Sequence, residues 1–177
     1  TIFKARCSMG ERPARHEAMR PATGNGELVL DQFLPYRLSV LSNRISNAIA
    51  REYSRRFALS VTEWRVMAVL GHAPNLSAGE VARRTAMDKV AVSRAVASLI
   101  ASGRLLRRLD AGDRRRSVLR LSKAGDAIHD QIAQLALGFE RQLLGELDTA
   151  ERSRLFRLLD RLDELELRAE AVAAEAD

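Results

Sequence analysis

Cysteine, aromatic residues, proline and long apolar runs are all scarce in this sequence. One cysteine, Cys7, in 177 residues excludes an internal disulfide and any multi-cysteine metal site. A reducing, cytoplasmic setting is the expectation that follows. No run approaches the roughly 18 uncharged apolar residues that a membrane span needs. Residues 1–20 lack the continuous apolar core of a secretory signal. The three histidines, His16, His72 and His129, share no H-x3-H spacing, so neither a metal nor a cofactor is expected. Gly24-Asn25-Gly26 is too little for a phosphate-cradling loop. No nucleophile stands near a base in a recognisable pattern, which argues against an enzyme.

What is present is a large apolar and charged fraction, 46% and 29%. The first is enough for a real core, and the abundance of Ala, Leu, Arg and Glu leans helical. The net charge of +6 is unevenly spread. Residues 1–82 carry 11 basic and 7 acidic side chains, residues 83–123 carry 12 and 3, and residues 124–177 carry 6 and 13. A 41-residue stretch with a charge of +9 makes a local positive field suited to a polyanion, most simply nucleic acid.

Residues 1–29 read as a tail, interrupted by Pro13, Pro21, Gly24 and Gly26. From residue 30 to 57, Leu34, Leu38, Leu41, Ile45, Ile49, Tyr53 and Phe57 recur at helical spacing, predicting a long amphipathic helix bent near Pro35. A short buried helix is expected over 62–71. Another starts at Ser77, where Ser77 and Glu80 fit a capping box. After a tight turn at Ala86-Met87, Asp88 caps a helix running to Ser102 with Val92, Val96, Leu99 and Ile100 inward, and Gly103 stops it. Leu105, Leu106 and Leu109, then Val118, Leu119 and Leu121, read as a β-hairpin whose tip holds Asp113, Arg114, Arg115 and Arg116. Two helices follow, 122–147 and one beginning at Asp148. The fold class is mainly α with a small β-hairpin.

Two short helices, a tight turn and a basic hairpin describe a winged helix-turn-helix. Its second helix is slim enough for a major groove about 12 Å wide. It offers Lys89, Ala91, Ser93 and Arg94, with Arg94 suited to a guanine or a phosphate. Ser77 offers a hydroxyl to a phosphate. The wing arginines suit a narrow minor groove, and Asp113 suits the bracing of Arg115. The plainer alternative is that these arginines form a solvated turn.

The run from Asp113 through Arg115 to Leu119-Arg120-Leu121-Ser122-Lys123-Ala124-Gly125 resembles the wing signature of the MarR (multiple antibiotic resistance regulator) family, D-x-R followed by L-x-L-[ST]-x-x-G. Val92-Ser93-Arg94 and the stretch ending at Gly103 resemble its recognition helix. The order of elements is similar over about residues 30–175. The resemblance implies a winged helix-turn-helix flanked by long dimerisation helices: 30–58 as the first of these, 59–122 as the DNA-binding module and 123–177 as the last. It implies a homodimer on a pseudo-palindromic double-stranded operator, acting as a repressor released by a small ligand. It also implies that Arg94 contacts the major groove, Arg115 the minor groove, and that Asp113 orients Arg115. Arg114 and Arg116 are left as phosphate contacts or outward charges.

The family's ligand site lies where the dimer platform meets the winged module. There Tyr36, Arg37, Trp64 and Arg65 would suit an aromatic carboxylate or its coenzyme A thioester. The competing reading makes Tyr36 and Trp64 core residues. Cys7, near Lys4 and Arg6, reads as an inert thiol or a redox sensor. Two functional alternatives stand beside the specific regulator. One is a non-specific architectural DNA-binding protein, and the other a winged-helix module binding an acidic protein.

Overall fold

The computed structural model describes residues 28–109, 112 and 116–165. Cys7, Asp113, Arg114 and Arg115, each singled out above, lie outside the described residues. The chain divides into two compact units, Thr1–Ile45 and Ser46–Asp177, with the boundary inside the first helix, α1 (Leu34–Phe57). That helix starts at Leu34, the first residue of the apolar stripe, rather than at residue 30 where the expected segment opened. Pro35 therefore occupies its first turn, where the missing N–H is not needed, and causes no bend. A turn precedes it, in which the Phe33 amide bonds the Val29 carbonyl.

Within the second unit the elements follow the winged order: α2 (Val61–His72), α3 (Ala78–Thr85), α4 (Lys89–Ala101), β1 (Leu105–Leu109), β2 (Ser117–Leu121), α5 (Lys123–Gly145) and α6 (Thr149–Asp163). Their starts are set by side-chain caps. Ser60 with Glu63 and Ser77 with Glu80 both form reciprocal capping boxes, opening α2 and α3. The first of these boxes has the same S-x-x-E spacing as the second. Asp88 Oδ1 accepts from the Val90 and Ala91 amides to open α4. Ala86, in the left-handed region at φ 51°, makes the turn between α3 and α4. Gly103 takes φ 69° just beyond α4, the stop expected of it.

The hairpin is antiparallel, with Leu105 opposite Leu121 and Leu109 opposite Ser117. It also has a partner with no counterpart in the sequence pattern. Leu76 bridges Leu119, whose amide donates to the Leu76 carbonyl at 2.8 Å. This ties the loop before α3 to the wing. The first turn of α5 presses onto the chain leaving α4. A methyl at Gly125 would fall on the Arg104 carbonyl oxygen, so glycine is required there by close approach.

The core of this unit joins Tyr53 of α1, Val66, Met67 and Leu70 of α2, Val81 of α3, Val92, Val96 and Leu99 of α4, Leu105 and Leu119 of the hairpin, and Ile132 of α5. Ile100, expected inward, is only half-buried. Among the described residues no polar side chain is buried in the core. By contrast α6 buries nothing. Leu155, Phe156, Leu158, Leu159 and Leu162 are all exposed along it, as are Leu137 and Leu143 on α5. In the first unit Leu34, Leu38 and Leu41 of α1 are exposed as well. No helix among the described residues is long and apolar enough to cross a membrane.

Candidate nucleic-acid interface

Helix α4 has two sides. Val92, Ala95, Val96 and Leu99 are buried. Lys89, Val90, Ser93, Arg94, Ala97 and Ser98 are exposed. The outward face is therefore the one that carries Lys89, Ser93 and Arg94, three of the side chains assigned to DNA from the sequence. The fourth, Ala91, is half-buried at the edge of that face.

Beside α4 runs an open groove of about 360 Å³, lined by Ser60, Thr62, Glu63, Ala91, Arg94, Ala95 and Ser98. Glu63 organises its wall. Its carboxylate accepts from the Ser60 amide at 2.8 Å and from the Ser98 hydroxyl at 2.6 Å. Burial pushes the Glu63 carboxyl up. The Ser98 and Ser60 hydrogen bonds and the Arg104 charge outweigh burial and hold it below the usual carboxylate range. Ser98 of α4 is thereby tied to Glu63 in the first turn of α2.

A second carboxylate, Glu80, joins α3 to the wing. It accepts from the Ser77 hydroxyl at 2.7 Å, from the Ser77 amide at 2.8 Å, and from the Arg116 guanidinium. Those bonds hold its pKa at about 2, the Ser77 hydroxyl contributing most. The Ser77 hydroxyl proton is thus given to Glu80. Of the two roles left open for Arg116, phosphate contact or outward charge, it has a third besides, an ion pair with Glu80. Sequence reasoning did not pair Glu80 with Arg116, because the two are 36 residues apart and joined only by the fold. It also passed over Val90 and Ala97. Their signal was available, since both fall outside the 92–96–99 apolar stripe.

Of the side chains proposed for a ligand, Tyr36 and Arg37 belong to the first unit and are exposed. Trp64 and Arg65 belong to the second. Trp64 lies between Tyr53 and His129, with ring centroids 6.0 Å and 5.7 Å away. It serves the packing of α1, α2 and α5 in that unit. Arg65 donates to the Ser46 hydroxyl at 3.1 Å. Burial raises the Tyr53 phenol pKa, and the Arg65 charge offsets part of that rise. Among the described residues no group of three or more His, Cys, Asp or Glu side chains is arranged to hold a metal ion.

The sequence pattern that defines the MarR family matches residues 59–116, the span from the start of α2 to the wing. Among solved structures, a MarR/EmrR family transcriptional regulator from Acinetobacter sp. ADP1 is 28% identical, with TM-score 0.70 over 77% of this chain and 96% of that one. Bordetella bronchiseptica BpsR, described by the regulation of its DNA binding by 6-hydroxynicotinic acid, is 23% identical, with TM-score 0.67 over 80% of this chain and 100% of that one. The transcriptional repressor CouR, bound to a 23-mer DNA duplex, is 21% identical, with TM-score 0.65 over 78% of this chain and 99% of that one. These last two share the fold. No curated protein sequence matches significantly.

Proposed function

We propose that the chain is a DNA-binding transcription regulator of the MarR family, on the match of its winged module over residues 59–116, and that it works as a homodimeric, sequence-specific repressor in the cytoplasm, released by a small aromatic acid or its coenzyme A thioester. The observation that carries the specific-binding part is the outward face of α4. Lys89, Ser93 and Arg94 stand together on a rigid, capped helix with small neighbours, as major-groove reading requires. In this reading Arg114 and Arg115 of the wing supply the minor-groove and phosphate contacts, and Asp113 orients Arg115.

Dimerisation is supported by the apolar residues left in water along α6, on α5 and on the first half of α1. The five large apolar residues exposed along α6 alone, Leu155, Phe156, Leu158, Leu159 and Leu162, are the kind of surface that marks an association site. The two α4 helices of a dimer would then read half-sites about 10 bp apart. BpsR, a relative in fold whose DNA binding is regulated by 6-hydroxynicotinic acid, motivates the choice of an aromatic acid as the ligand class.

The test is selection of duplexes from a randomised pool by the full chain, followed by measurement of stoichiometry. A regulator of this kind enriches a pseudo-palindrome, binds it as two chains per duplex, and releases it on addition of a matching aromatic acid or thioester from a panel. Equal, salt-sensitive binding of every duplex would instead favour an architectural protein. Absence of any binding would favour a module that binds an acidic protein.

A further inference from the structure

The midline of the DNA-facing side of α4 is apolar. Val90 is 56% exposed, in the first turn, between the cations Lys89 and the more distant Arg94. At about 100° per residue, the exposed positions 89, 90, 93, 94, 97 and 98 cover about half the helix circumference. Val90 and Ala97 fall at the centre of that arc, and Lys89 and Ser98 at its two edges. A lone exposed valine elsewhere would need no explanation. Here it occupies the centre line of the exposed face of α4, while the charged side chains flank it.

We propose that Val90 is a specificity residue that selects a thymine by packing on its C5-methyl group in the major groove. The inference rests on the reading of α4 as the helix that enters DNA. The chemistry leaves one apolar partner. Guanine, adenine and cytosine offer hydrogen-bonding groups at their major-groove edges, and thymine alone adds a methyl. Val90 has no side-chain donor or acceptor. Pressed on the polar edge of another base, it would desolvate that edge and leave its groups unpaired. Pressed on a thymine methyl, it removes apolar surface of both partners from water.

Two features prepare it for this. The Asp88 carboxylate accepts from the Val90 and Ala91 amides at 2.9 Å and 3.0 Å, fixing the first turn. The β-branched side chain has little rotamer freedom in a helix, so little is lost on contact. Ala97, two turns on along the same line, is small enough for the helix to lie close to the base edges.

The experiment uses the full chain and the duplex it enriches most from a randomised pool. Each thymine is replaced singly by deoxyuridine, which removes the methyl and leaves pairing intact. Affinities are measured for the wild type and for Val90→Ala. One thymine in each half-site is expected to cost the wild type about threefold to fivefold in affinity on losing its methyl. Val90→Ala should bind the parent duplex more weakly by a similar factor and be indifferent to deoxyuridine at that position. Alanine is favoured at an exposed helical position, so the variant should keep its unfolding temperature. Val90→Thr, which keeps one methyl and the side-chain shape, should fall between the two.

The same deoxyuridine profile in wild type and Val90→Ala would overturn the inference while leaving DNA reading intact. So would a wild type indifferent to every thymine methyl. Failure to enrich any duplex would overturn the DNA reading itself and this inference with it.

Discussion

Glu80 takes three hydrogen bonds from two partners, and its pKa lies at about 2 against an ordinary 4.5. A carboxylate whose pKa is depressed by folding contributes stability that is complete above its unfolded value and lost as pH falls through the folded one. The Glu80 contribution is therefore present at neutral pH and disappears between about pH 4.5 and pH 2. Glu80→Gln should unfold at a lower temperature than the wild type at pH 7, and the gap should close as thermal melts are repeated towards pH 2. A gap that does not vary with pH would contradict this. Arg94 is the other residue with a sharp outcome. Its loss should cost about 1–3 kcal/mol of discrimination against wrong bases, read as affinity for an enriched duplex minus affinity for a scrambled one. Non-specific binding should change less. At this scale the sequence is uneven in what it reveals. The Ser77–Glu80 box is written in a local spacing, and so is its twin at Ser60–Glu63. The Glu80–Arg116 pair, the Leu76–Leu119 bridge and the seat of Trp64 against Tyr53 and His129 join distant residues and leave no local pattern.

Single elements carry two opposite predictions for one substitution. Gly125 in the first turn of α5 has the Arg104 carbonyl where a Cβ would stand, whereas Gly138 further along has only the end of Arg141 at 3.9 Å. Gly125→Ala should destabilise by about 1–3 kcal/mol through overpacking. Gly138→Ala should stabilise by about 0.5–1 kcal/mol by removing backbone freedom from the unfolded chain. Chemical denaturation of both variants checks the pair, and the same sign for both would contradict the account. The helices were legible because apolar spacing, caps and the Gly103 stop all pointed the same way. Pro35 misled in one respect. A proline reads as a bend in a helix interior, and here the helix simply begins one residue before it. The hairpin was legible from its change of period. Its tip, where the D-x-R motif lies, is outside the described residues, so the role of Asp113 and Arg115 stays with the resemblance.

For the whole molecule, charge and apolar surface divide the labour. The basic excess of residues 83–123 coincides with α4 and the wing, while residues 124–177 are acidic and hold the exposed leucines of α5 and α6. Replacing Leu158 and Leu162 together by Glu should convert a dimer into monomers in sedimentation experiments and weaken operator binding by far more than it weakens contact with random DNA. An unchanged sedimentation profile would place the interface elsewhere. Assembly and ligand were the least legible features, since a leucine face exposed along a helix does not name an occupant.

The central claim is that the outward face of α4 reads sequence. It is tested most directly by the affinity of the full chain for its enriched duplex against a scrambled one at about 0.15 M salt, where surface electrostatics are screened, in the wild type and in Arg94→Ala. The account predicts a preference of about 10³-fold or more in the wild type, cut by about tenfold or more in the variant. Equal affinity for both duplexes, or a preference that survives the loss of Arg94 unchanged, would contradict it.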